Sequence, residues 1–126
     1  MYDNDTDDRP LIVREADDAY ESVRAINHAT IDANSIPAPV VYDFLGNIKT
    51  AAGHGISQAL GQVATGLLRS LDTHDVYDDN GDPTDNAAAA AALMHEAADL
   101  ATQIGTLLEE AQSRISRQGY NAPDAP

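Results

Sequence analysis

Between Thr50 and Leu68 the chain reads TAAGHGISQALGQVATGLL, without one charged residue in a protein of formal net charge −14. The acid-free stretch is wider still, running from Asp43 to Asp72. Ile56, Leu60, Val63, Leu67 and Leu71 recur at steps of three and four, which predicts a helix with one apolar face. Its other face, Ser57, Gly61 and Thr65 with Gln58 and Gln62, is small, polar and uncharged. Acids crowd elsewhere: ten of the 21 fall in residues 1–8 and 72–85, where there is no Lys or Arg. Such segregation implies one helical surface that is covered and two segments left in water.

The flanking sequence supplies further helices. Residues 1–9 read as a disordered acidic tail. Leu11, Ile12 and Val13 form an apolar entry to a first helix over 14–30, with Ala16, Tyr20, Val23, Ile26 or Asn27, and Thr30 at helical spacing. Asn34, Ser35, Pro37 and Pro39 mark a turn. A second helix over 38–52 carries Val41, Phe44 or Leu45, Ile48 and Ala52, since period outweighs the β-branched pair Val40-Val41. Gly53-His54-Gly55 interrupts it before the third helix over 56–72. An acidic loop at 73–83 leads to a fourth helix over 84–118, capped by Thr84 or Asp85. Leu93, Ala97, Leu100, Ile104, Leu107 and Ala111 give that helix a heptad-like seam, and Arg114 stands at its next position. Residues 120–126 are expected to fray.

The fold class is therefore all-α, with one helical domain over 10–119. Two architectures fit: a four-helix antiparallel bundle, or a kinked long helical hairpin with an extra N-terminal helix. A turn at 53–55 favours the bundle, because two glycines so close end helices more often than they bend them. Helices one and four are expected to supply most of the core seam. That core is thin, since 22 of the apolar residues are Ala and Trp is absent.

Composition removes whole function classes. Seven bases against 21 acids argue against direct nucleic-acid binding, whose affinity comes from phosphate neutralisation, and against an anionic membrane surface. With no Cys, disulfides, thiolate catalysis and Cys-ligated zinc are excluded. Residues 50–68 are too polar to span a membrane. No cationic start precedes an apolar run, so no Sec-type leader is expected and the location is taken as cytoplasmic. The Asp and Ala richness fits a high-GC bacterial coding sequence.

Local motifs add little chemistry. Aligning Gly81 with the sixth position of a calcium loop puts Val76 and Ala87 at its first and last ligand positions, so the strongest oxygen ligands are missing. His28, His54, His74 and His95 lack the Glu three residues before that a di-iron bundle uses. Glu96-Ala97-Ala98-Asp99 resembles the second acidic motif of the all-α nucleotide pyrophosphohydrolases, but the preceding helix lacks the partner acids. Tyr120-Asn121-Ala122-Pro123-Asp124 resembles the Tyr-x-x-x-Asp/Glu signal of helical hairpins exported by type VII systems, a likeness that implies export without a Sec signal. The Trp-x-Gly turn of those hairpins has no counterpart here.

The sequence thus predicts a small acidic helical protein, non-enzymatic, acting as an adaptor or accessory through protein contacts. No cofactor, metal ligand, catalytic residue or obligatory small molecule is expected. Ser57, Gln58, Gly61, Gln62 and Thr65, with His54 at the helix junction, are the expected interaction residues, for a protein partner or for self-association through helix three. The alternatives are an acidic DNA-mimic-type decoy of a nucleic-acid-binding protein, using Glu15, Asp17, Asp18, Glu21, Glu96, Asp99, Glu109 and Glu110, and a type VII-like exported helical hairpin.

Overall fold

A computed structural model describes residues 7–122. Among them every regular element is helical: α1 (Leu11–Thr30), α2 (Ala38–Ile48), a π turn (Lys49–His54), α3 (Gly55–Thr73) and α4 (Pro83–Arg114). The chain divides into two units, Met1–Ile36 and Pro37–Pro126. Most of the expected acidic tail and the last four residues, Asp124 among them, lie outside the described residues.

In the N-terminal unit, α1 begins earlier than periodicity suggested. The Pro10 carbonyl accepts from Val13 N at 3.0 Å and Arg14 N at 3.2 Å, which draws Leu11-Ile12-Val13 into the first turn. Ahead of it, the Arg9 guanidinium holds Asp7 at 2.8 Å and reaches Asp17 at 3.5 Å. That clasp lowers the Asp7 pKa to about 2. None of the residues of α1 is buried; Tyr20 is 63% exposed. Within its own unit α1 therefore builds no buried core.

In the C-terminal unit, Pro37 precedes α2 and its carbonyl accepts from Val40 N and Val41 N, so this β-branched pair opens a helix. The expected break at 53–55 is also corrected. His54 (φ −62°, ψ −38°) and Gly55 (φ −67°, ψ −47°) are both right-handed helical, and the path continues from Ala38 to Thr73 through one wider turn. There Gly55 N–H donates to Thr50 O, five residues back. A Cβ on Gly55 would stand 2.6 Å from that oxygen, so glycine is what this π geometry admits.

The chain then reverses through 74–82, and α4 packs along α2, the π turn and α3. Cross-contacts fix the sense. Gln112 at the end of α4 accepts from Lys49 Nζ at 2.8 Å and donates to Tyr42 O at 3.2 Å. Thr102, nearer the reversal, meets Ser57 at 2.8 Å. The two arms are antiparallel. The cap of α4 is Asp82 rather than Thr84 or Asp85: with Pro83 in the first turn, Asp82 Oδ1 accepts from Thr84 N at 2.8 Å and Asp85 N at 3.2 Å. The helix ends at Arg114, four residues short of expectation, where Ile115 leaves helical geometry (φ −107°, ψ 10°).

Small residues form the seam between the arms. Its buried members are Leu45, Gly53, Ala64, Ala91, Ala98, Ala101 and Gly105. The arms meet backbone to backbone at two glycines, where a Cβ on Gly53 would stand 2.5 Å from Gly105 Cα. This crossing overturns the expected seam of α4. Ala91, Met94, Ala98, Ala101, Gly105, Leu108 and Gln112 face the other arm, buried or half-buried at alternating steps of three and four. Leu93, Leu100, Ile104 and Leu107 are 66%, 53%, 45% and 62% exposed. The reason is steric: leucines here would hold the arms apart, whereas Ala and Gly let the backbones meet.

Candidate functional site

Two surfaces of the C-terminal unit result, one on each side of the seam. The polar side carries most of the expected interaction residues. Ser57, Gln58, Gly61, Gln62 and Thr65 line one shallow open groove on α3, with Arg69 at its edge. A Cβ on Gly61 would meet nothing within 4 Å, so the small-residue strip is not used against α4 at that point. Thr65 Oγ1 turns back to donate to Gly61 O at 3.1 Å. Ser57 belongs partly to the seam through its bond to Thr102.

His54 is not among the residues lining that groove. Its ring lies over Gly105, where an added Cβ would stand 2.8 Å from Cε1 and Nε2. Nε2 is 3.9 Å from Glu109 Oε1, at the outer limit of an ion pair. All three residues of Gly53-His54-Gly55 therefore serve the packing of the arms. Gly53 admits the α4 backbone, His54 covers Gly105, and Gly55 makes room for the π turn. A junction whose sequence suggests a display site for His54 is a helix crossing.

The opposite side is apolar. At about 100° per residue, the row Leu93, Ala97, Leu100, Ile104, Leu107 and Ala111 lies roughly a quarter-turn round α4 from the packed seam, away from the Thr102 side. On α3, Ile56 and Val63 each precede a seam-facing residue, Ser57 and Ala64, and fall on the same side of the pair. They are 41% and 44% exposed. Leu60, Leu67 and Leu71 are half-buried between the seam and this side. Sequence reasoning found all of these residues through their spacing and placed them in the core. Two interleaved heptads on α4, one small and one large, were the signal that one of them stays outside.

The loop 74–82 closes on itself. Asp78 accepts from Asn80 N at 2.9 Å and from Asn86 Nδ2 at 2.7 Å. The Asn86 amide, with help from the Asn80 and Gly81 backbone, holds the Asp78 carboxyl below its ordinary value. Among the described residues no three His, Asp or Glu side chains converge as a metal-ligand set, and no helix is long and apolar enough to cross a membrane.

No protein-family model, curated protein or solved structure matches the chain. A functional reading therefore rests on the physical character of these surfaces.

Proposed function

We propose that the C-terminal unit works as a helical hairpin that docks another protein through its apolar side, as a non-enzymatic accessory or adaptor. The observation that carries this reading is the exposed heptad row of α4: Leu93, Leu100, Ile104 and Leu107 recur for four turns outside the packed seam, 45–66% open to solvent. A second heptad on a helix whose first heptad is already packed is the signature of a second helical neighbour. Scattered exposed leucines need no explanation, but a continuous apolar row does. Helix three takes part through Ile56 and Val63; the groove from Ser57 to Thr65 is a secondary contact.

Capture on immobilised protein tests this, with Leu100→Glu and Gln62→Glu compared against the unaltered chain. Both positions are exposed, so both variants are expected to fold. Loss of bound protein with Leu100→Glu and retention with Gln62→Glu is the expected result. The reverse pattern would move the working surface to the α3 groove, and retention with both would overturn docking by either face.

A second reading rests on the long antiparallel arms followed by Tyr120, which is 72% exposed. The resemblance to type VII-exported hairpins makes Tyr120 part of an export signal. Tyr120→Ala should then abolish export while leaving helicity unchanged; export of the variant at the normal level would refute it.

A further inference from the structure

Resting on that docking reading, we infer that the occupant of the apolar side is a second copy of this chain, with the two α4 helices antiparallel across a two-fold axis near Leu100. Charge favours this pairing. A chain of net −14 should repel its own copy, yet the stretches on either side of the reversal are almost neutral. Residues 38–71 and 86–118 hold five acids (Asp43, Glu96, Asp99, Glu109, Glu110) against four bases (Lys49, Arg69, Arg114, Arg117). Six acids sit instead in 72–85, at the reversal. A parallel pairing would bring two such loops together. An antiparallel pairing separates them by about the 48 Å length of α4, far beyond the ~8 Å screening length at physiological salt.

The row is also complementary to itself. It ends at Arg114, the next heptad position after Ala111, and Asp82 and Asp85 stand two to three turns ahead of its first residue, Leu93. Placing Leu100 against Leu100 of the partner subunit sets Leu93 against Leu107 of the partner subunit. Ala97 then meets Ile104 of the partner subunit, small against large. In the same register Arg114 arrives beside Asp85 of the partner subunit, so the basic end of each helix meets the acidic start of the other. Among the described residues Arg114 makes no ion pair within its own chain.

The exposed area is of the right order. Ile56, Val63, Leu93, Leu100, Ile104 and Leu107 are 41–66% exposed. Together they present on the order of 400 Å² of apolar surface. That is about half of the ~800 Å² per partner in a standard interface, before the alanines and the polar rim are counted. Two hairpins joined this way complete a four-helix arrangement whose central layer neither copy supplies alone.

Because the chain has no cysteine, single cysteines test the geometry directly. Leu100→Cys should form a covalent dimer on mild oxidation. Leu93→Cys and Leu107→Cys should each do so poorly alone and readily when mixed, which also covers the case of one variant folding badly. Arg114→Glu should weaken the dimer about threefold, and Asp85→Arg in the same chain should restore it. A dimer that never cross-links through 100 or through the 93/107 mixture would overturn the register. A monomer at about 100 μM would overturn self-association; the Leu100→Glu capture experiment then decides separately whether a different protein docks on the same face.

Discussion

Replacing Gly53 by Ala probes the contact between the two facing glycines of the arms. The new Cβ would lie 2.5 Å from Gly105 Cα and 2.8 Å from Gly105 N, whereas carbon atoms rest at about 3.5–4.0 Å. Both atoms belong to the facing backbone, so no side chain can swing aside and the arms must part by about 1 Å. Overpacking of this kind costs about 1–3 kcal/mol, against a helix-propensity gain of about 1 kcal/mol for Gly to Ala. A net loss of about 1 kcal/mol is expected. Gly61→Ala is the internal control. Nothing lies within 4 Å of its new methyl, so only the propensity gain of roughly 0.5–1 kcal/mol remains. The pair should differ by about 2 kcal/mol, or roughly 8–16 °C in melting temperature for a unit this size. Gly105→Ala belongs between them, because its obstacle is the His54 ring, which can rotate away. Thermal melts followed by circular dichroism at one fixed protein concentration give the order. If Gly53→Ala melts as high as Gly61→Ala, the glycine crossing does not set the packing of the arms.

Three further outcomes follow from the loop and the seam. Asp82→Ala removes the acceptor for Thr84 N and Asp85 N and should cost about 1 kcal/mol, read as a melting shift of roughly 4–8 °C; no shift would mean that α4 is capped by other means. Asp78 is held below its ordinary value near 3.8 by Asn86 and by the Asn80 and Gly81 backbone. Its contribution to loop closure is therefore present above pH ~4 and lost as pH falls through the depressed value. The Asn86 side-chain amide resonance should move in that acidic window and stay still near neutral pH, and Asp78→Asn should abolish the transition. Gln112→Leu keeps the volume but removes both the Lys49 and Tyr42 bonds, and should speed amide exchange in α2 relative to α3; equal protection would show that Gln112 does not hold the base of the pair.

The helices themselves were legible because each carries a strong periodic signal, and Pro37 and Pro39 punctuate the start of the second. What periodicity does not encode is which of two faces is packed. On α4 the large heptad from Leu93 to Leu107 outweighs the small one from Ala91 to Gly105 in any hydrophobic count. The small one wins because Gly53 and Gly105 let the backbones touch, a three-dimensional coincidence between residues far apart in sequence. Gly53-His54-Gly55 misled for the same reason. Two glycines ordinarily mark a helix end, and here one serves a crossing and the other a π turn. Among the expected interaction residues, Ser57 to Thr65 do share one open groove on α3, since spacing alone fixes residues on a helix face. His54 parts from them because its ring is drawn onto Gly105, a position that only the folded pair creates.

The most direct measurement is sedimentation equilibrium on the unaltered chain beside Leu100→Glu, with helicity of both checked by circular dichroism. Self-association through α4 predicts a mass near twice the 13.3 kDa of one chain for the unaltered protein, and a single-chain mass with unchanged helicity for the variant. Identical masses for the two proteins, whether one chain or two, would contradict assembly through the exposed row of α4.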